Sequence, residues 1–137
     1  MSGYAAYAYI YNTSAEVVAI EAAVAFDSNG VLLGINHAPG NAGIVVLNAG
    51  TYQIAFTLSG VEPNQFALFV NGASVAGSVY GSGTGTQQNH GQVILALSAG
   101  DVLTIVNHSS ASAVTLQPLA GGTQTNVNAS VLILKLS

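Results

Sequence analysis

Hydrophobic and polar residues alternate with a period of two along much of this chain. The clearest run extends from Thr51 to Leu58, where Tyr52, Ile54, Phe56 and Leu58 occupy every second position. A shorter run has Val114 and Leu116 next to Thr115 and Gln117. Because successive side chains of a strand point to opposite faces, both runs predict strands with one buried face and one wet face.

Three other runs are apolar on both faces: Phe66 to Val70, Val102 to Val106 and Val131 to Leu136. An antiparallel strand of this kind needs cover on both sides, and a two-layer sandwich covers only one. We therefore expect neighbouring subunits to supply the second cover.

Turn-forming residues separate these runs at short intervals, as in Asp27 to Gly30, Asn71-Gly72 and Ala99 to Asp101. Short strands between frequent turns predict an antiparallel sandwich. Residues 13–16 have the form of a helix capping box, so a helix over 16–25 is an alternative. We favour a strand there, because Val18, Ile20, Ala22, Val24 and Phe26 alternate.

The N-terminal segment is rich in tyrosine, and in an extended conformation Tyr7, Tyr9 and Tyr11 share one side while Ile10 points to the other. Residues 1–8 are expected to be flexible. At 137 residues the chain fits one domain, over residues 1–137.

Charged residues make up only 4% of the chain, with five acids, one lysine and a net charge of −4. Apolar residues reach 50%, and the mean hydropathy is +0.54. This apolar surplus favours an obligate oligomer. With Lys135 as the single basic residue besides histidine, nucleic-acid binding is not expected, and no apolar run is long enough for membrane insertion.

The residues that carry chemistry are few and scattered. His37, His90 and His108 match no metal-site spacing, cysteine is absent, and the five carboxylates form no cluster. Asp27 and Asp101 stand beside turn residues, where an aspartate accepts backbone N–H bonds. We predict no catalytic residue, no cofactor and no metal site. Glycan binding by exposed tyrosines is an alternative function to structural packing.

Several segments in order resemble a known family. They are residues 25–30, 49–56, 66–72, 99–103 and 130–136, and the similarity runs from about Tyr9 to the C-terminus. Together they are similar to the C-terminal domains of collagen-like exosporium glycoproteins of spore-forming bacteria, the BclA type. That family in turn resembles the globular heads of complement subcomponent q and tumour necrosis factor (TNF).

The resemblance implies an all-β, TNF-like jelly-roll sandwich of about ten antiparallel strands that forms a homotrimer, with one sheet of each subunit facing the threefold axis. The strands that are apolar on both faces would belong to this inner sheet, and those with a wet face to the outer sheet. The candidate inner-sheet residues are Phe66, Leu68, Phe69, Leu103, Ile105, Leu132 and Leu134.

The function implied is a non-enzymatic trimerisation and display head of a collagen-like protein on a spore or cell surface. The alternative is a trimeric adhesin or lectin-like module that binds glycans or host surface proteins. The Gly-X-Y repeat of such proteins is not present in this sequence.

Overall fold

The computed structural model describes residues 5–137, and in this range the chain forms thirteen β-strands and no helix. The strands are β1 (Tyr7–Asn12), β2 (Glu16–Val18), β3 (Ser28–Leu33), β4 (Ile35–Asn36), β5 (Ile44–Val46), β6 (Gly50–Leu58), β7 (Asn64–Val70), β8 (Ala73–Ser74), β9 (Tyr80–Ser82), β10 (Asn89–Leu97), β11 (Val102–Asn107), β12 (Val114–Leu116) and β13 (Ala129–Lys135). Several have only two or three residues, which accounts for the excess over the ten expected.

The strands form two antiparallel sheets that pack face to face, with one small additional pair. The first sheet has the order β10-β6-β13-β1-β3. The second sheet has the order β4-β5-β11-β7-β8, and β9 also pairs with β7. Strands β2 and β12 pair with each other. The expected all-β jelly-roll fold is confirmed.

The core lies between the two sheets and is filled by alternate residues, as the period of two predicts. Tyr52, Ile54, Phe56 and Leu58 of β6 are all buried, and the intervening residues are half-exposed. The Tyr52 hydroxyl donates to the carbonyl of Asn48 at 2.8 Å, which satisfies its one buried polar group.

Strand β13 pairs with β6 and β1, so it belongs to the first sheet, whereas β7 and β11 pair with each other in the second. The expectation that the three strands with two apolar faces share one sheet is therefore wrong. The expectation that β6, which has a wet face, lies in a different sheet from β13 is also wrong, because the two strands pair with each other. Strands that pair in a sheet can be far apart in sequence, and the polarity of a strand's two faces does not determine which strand it pairs with.

The turn Asn71-Gly72 joins β7 to β8 as predicted, with φ of 52° and 83° at its two residues. Both values lie in the left-handed region that a two-residue hairpin requires and that Asn and Gly tolerate. The stretch from Asp27 to Gly30 was expected to be a turn, but Ser28 to Gly30 belong to β3 and pair with β1.

Residues 16–26 are extended and not helical, but they do not form one strand. Glu21 has a φ of 62°, and the chain turns there between β2 and a segment that pairs with β11 through Ala23 and Val106. Consequently Val18, Val24 and Phe26 are buried, while Ile20 is 48% exposed. The Glu16 carboxylate accepts the N–H of Ala25 at 3.0 Å and caps no helix.

The two ends of the sandwich differ in composition. The start of β1 lies beside the end of β13, with Tyr7 opposite Leu134, and we name this the terminal end. The other end, the loop end, is closed by buried asparagines: Asn12, Asn64, Asn89, Asn107 and Asn128. They bond to each other and to nearby carbonyls, as in the 2.9 Å bonds from Asn12 to Asn128 and from Asn89 to Asn64.

The start of the described chain is packed against the core. Ala6 and Ala8 are buried, and Tyr7 begins β1. The flexibility predicted for residues 1–8 therefore does not extend to Ala6, Tyr7 and Ala8, and residues 1–4 lie outside the described part.

Candidate interaction surface

The first sheet turns one face to the core and the other away from it, and we call the second the free face. On β1 it carries the three tyrosines of the N-terminal run, as predicted, while Ala8 and Ile10 are buried on the opposite side. The free-face residues of the four strands β10, β6, β13 and β1 are His90, Gln92, Ile94, Ala96, Thr51, Gln53, Ala55, Thr57, Ser130, Leu132, Leu134, Tyr7, Tyr9 and Tyr11.

Strand register arranges these side chains in rows across the sheet. Leu132 lies at the centre, between Ala55 on β6 and Tyr9 on β1. In the row nearer the terminal end, Leu134 lies between Gln53 and Tyr7. The rings of Tyr9 and Tyr11 stack with their centroids 5.3 Å apart. This contact restricts the orientation of both side chains on the free face.

The free face carries no Asp, Glu, Lys or Arg along these four strands. Leu132 is 41% exposed and Ile94 62% exposed, values that are high for large apolar side chains. Four strands spaced about 4.8 Å apart, with a rise of roughly 3.3 Å per residue, give a face of about 400 Å². A face of this size that exposes large apolar side chains among neutral polar ones is a candidate interaction surface.

Two of the seven candidate inner-sheet residues, Leu132 and Leu134, lie on the free face. Four others point into the core between the sheets and are no more than 1% exposed: Phe66, Leu68, Leu103 and Ile105. Phe69 points away from the core on the second sheet. The seven residues thus occupy three different environments, and they do not form one surface.

The outward face of the second sheet is partly covered by the chain itself. The His108 ring packs edge-on against Phe69 with centroids 5.1 Å apart. His108 is held by Glu21, with 2.7 Å between Nδ1 and Oε1, and Glu21 also accepts the N–H of Ser109. The second apolar face of a strand can thus be covered by other parts of the same chain. The sequence pattern alone does not distinguish this from cover by a neighbouring subunit.

Strand β10 contributes to the free face and was not among the candidates. Residues 93–97 are all apolar, like the three runs with two apolar faces described above. This pattern could have identified β10 as a further strand with two apolar faces. Val93, Leu95 and Leu97 face the core, while Ile94 and Ala96 face outward. Ile94 lies opposite Gln53 in the same row as Leu134.

The histidines are separate from one another and each has a local partner. His37 is buried, its two ring nitrogens bond to the Asn29 side chain and the Asn41 carbonyl, and it packs edge-on against Phe26. His90 bonds to Thr57 Oγ1 at 2.7 Å on the free face. Across residues 5–137 no three His, Asp or Glu side chains lie close enough to hold a metal ion.

All five carboxylates accept backbone N–H groups. The pKa is lowered in four of them: Glu21, Asp27, Glu62 and Asp101. Asp101 accepts the N–H of Ser98 at 2.7 Å, the role expected beside a turn. Partial burial would raise the pKa of Asp27, but hydrogen bonds from Ser14, Ser28 and Thr13 outweigh it. Burial raises the pKa of Glu16.

These shifts predict a loss of stability in acid. When folding lowers the pKa of a carboxyl group, its ionised form stabilises the fold at pH values above the unfolded pKa, which is 3.8 for Asp and 4.5 for Glu. This contribution is lost as the pH falls through the lower pKa of the folded state. We expect Asp27→Asn to lower the melting temperature by roughly 3–5 °C at pH 7. As the pH falls below 3.8 the difference between the two proteins should shrink, because protonation of Asp27 removes the carboxylate that the substitution replaces. A difference in thermal melts that does not change with pH would contradict this assignment.

The remaining aromatic residues pack within the fold. Tyr52 and Phe56 are core residues, as expected. Tyr80 is half-buried, packs edge-on against Phe56 with centroids 6.0 Å apart and donates its hydroxyl to the Gln92 carbonyl. Of the tyrosines considered for sugar binding, Tyr80 is thus occupied by packing.

A model of the BclA C-terminal domain family matches residues 8–137, nearly the whole chain. The chain belongs to this family. No curated protein sequence matches this chain. The recognition made from the five sequence segments is confirmed.

Solved structures similar to this BclA C-terminal domain share its fold at low identity. The globular domain of zebrafish complement 1qA has a TM-score of 0.73 and 11% identity, with 96% of this chain and 98% of that chain covered. Eiger TNF from S. frugiperda has a TM-score of 0.69 and 12% identity, covering 96% and 92%. Murine APRIL has a TM-score of 0.65 and 9% identity, covering 96% and 98%. At such identities the likeness establishes the fold alone.

No helix capable of spanning a membrane occurs within the described range, residues 5–137.

Proposed function

We propose that this domain is a non-enzymatic trimerisation and display head of a collagen-like protein on the surface of a bacterial spore or cell. The observation that carries the proposal is the free face of the first sheet, a surface without Asp, Glu, Lys or Arg. It exposes Leu132 at its centre, together with Ile94 on β10 and Tyr9 on β1. Membership of the BclA C-terminal domain family and the C1q/TNF-like fold support it.

Three copies of the chain bury their free faces around a threefold axis in this proposal. The free face is preferred over the outward face of the second sheet, because the second sheet is bordered by Glu21 and Asp101 and is partly covered by His108. Burying neutral side chains avoids the desolvation of charges, and each Å² of apolar area removed from water contributes about 25 cal/mol before the entropic cost of association.

Molar mass in dilute solution tests the proposal directly. At micromolar concentration, light scattering coupled to size exclusion should give the mass of three 13.7 kDa chains. A folded species with the mass of one chain would overturn the trimer and, with it, the proposed use of the free face.

The display role requires that an upstream collagen-like segment join the head at the terminal end, where β1 begins. A short run of Gly-Pro-Pro repeats fused before residue 1 should form a triple helix with a higher melting temperature than the same peptide alone, because the head holds three chains in register. Circular dichroism measures this melting. Equal melting temperatures for fusion and free peptide would contradict the role.

A further inference from the structure

A cleft at the loop end, just beyond the free-face residues Thr57 and His90, has the character of a ligand site. It lies between the loop at residues 85–88 and the loop at residues 117–121, and Ser59 also lines it. Its volume is about 570 Å³, within the range of small-molecule sites, roughly 300–1,000 Å³.

The first wall of the cleft is fixed by close packing and hydrogen bonds. Ser82 Oγ lies 2.8 Å from the Thr84 carbonyl and 2.9 Å from that of Gln87, so it bridges the two ends of the loop. At Gly85, a Cβ atom would lie 1.7 Å from the Val61 carbonyl oxygen, so only glycine permits this approach. These contacts tie the loop to Val61 and to its own two ends.

The second wall is fixed by one side chain. Asn126 Nδ2 donates to the Gln117 carbonyl at 2.9 Å, and its Oδ1 accepts the N–H of Ala120 at 2.6 Å. The backbone N–H of Asn126 also donates to Pro118 at 2.9 Å. Two walls ordered before a ligand arrives lower the entropic cost of binding.

The lining offers neutral polar groups next to one apolar side chain. Gln88 donates to Ser59 at 3.2 Å, and the side-chain amides of Gln87 and Gln117 have no hydrogen-bond partner among the described residues. Leu119, at the same cleft, is 56% exposed. No charged residue lines the cleft, and Lys135 lies at the opposite, terminal end of β6, beside Tyr52.

We propose that this cleft binds a neutral saccharide unit of one or two rings. Amide groups donate and accept hydrogen bonds, so they match the hydroxyls of a sugar, while Leu119 can pack on the apolar C–H face of a ring. An anionic ligand would find no cation here. A peptide that adds a strand would need a free strand edge, whereas this cleft is lined by loops. The lining comes from one chain and uses none of the free-face residues named above.

The test is binding of neutral sugars to the intact domain by saturation-transfer NMR, followed by titration. The panel consists of hexoses, N-acetylhexosamines and their disaccharides, with sialylated and sulfated counterparts. We expect a neutral sugar to bind in the millimolar range to wild-type protein, and Gln117→Ala and Leu119→Ser each to weaken it at least tenfold. Both side chains border solvent, so the variants should fold like wild type, as checked by thermal melting.

Gln65→Ala is the matched control, because Gln65 is an exposed glutamine outside the cleft. It should leave the affinity unchanged. Absence of binding by any neutral sugar, preference for the charged counterparts, or equal affinity in the Gln117→Ala variant would each overturn the proposal. A monomeric variant that still binds the sugar would separate this site from the trimer hypothesis.

Discussion

Leu132→Asp is expected to convert the proposed trimer into a folded monomer. Leu132 lies at the centre of the free face between Ala55 and Tyr9, and no lysine or arginine is present on that face to pair with a carboxylate. Burying an unpaired charge costs about 3–5 kcal/mol, and a threefold axis imposes this cost three times. Because Leu132 is 41% exposed in the single chain, the monomer itself should tolerate the change.

The measurement is molar mass by light scattering at micromolar concentration, together with far-ultraviolet circular dichroism to verify the fold. Val17→Asp is the matched control, since Val17 is a 66% exposed apolar residue on β2, outside the first sheet. It should remain trimeric. A trimer for Leu132→Asp, or monomers for both variants, would exclude the free face as the interface.

Phe69→Asp distinguishes the two outward faces. The sequence alone assigned Phe69 to the trimer interface, whereas the structure places it on the second sheet against His108. We now expect this substitution to weaken the fold locally and to leave the oligomeric state unchanged. Loss of the trimer in a folded Phe69→Asp protein would instead support the original assignment.

The alternation of β6 was predictable because one face of that strand is polar enough to define inside and outside. The same applies to β1, where three tyrosines at every second position define the free side. Strands with two apolar faces carry no such signal. For β7 and β13 the pattern is equivalent, yet β7 lies in the second sheet beside β11 and β13 in the first beside β6.

The loop end could not be predicted from the sequence, for a different reason. Asn12, Asn89 and Asn107 belong to a residue type that is typical of turns, yet all three are buried at strand ends. The cleft brings together residues near 59, 87 and 117 that no local pattern connects. Asn126, which orders one wall, would be assigned to an ordinary polar loop from sequence alone.

The second large effect concerns Gly91, a buried residue of β10 opposite Phe56. A Cβ atom at this position would lie 2.4 Å from Phe56 Cζ and 2.5 Å from Tyr80 Cδ1, so Phe56 and Tyr80 can pack edge-on only because the side chain is absent. Intrinsic strand preference favours valine over glycine by up to about 1 kcal/mol. Overpacking typically costs about 1–3 kcal/mol, and here two rings must move.

Gly91→Val should therefore destabilise the protein, by about 3 kcal/mol, although valine is the better strand former. Guanidinium denaturation at one fixed protein concentration measures the change. Gly81→Val is the matched control, because Gly81 is exposed on β9 and its nearest neighbour is the flexible Gln65 side chain at 3.4 Å. We expect a change within about 0.5 kcal/mol there.

A double variant isolates the cause. In the Gly91→Val background, Tyr80→Ala removes one of the two rings that the valine meets, so the two substitutions should cost less together than the sum of their separate effects. Simple additivity would indicate that valine acts through the backbone or the unfolded chain. The packing of Phe56 and Tyr80 would then not be the reason for glycine at position 91.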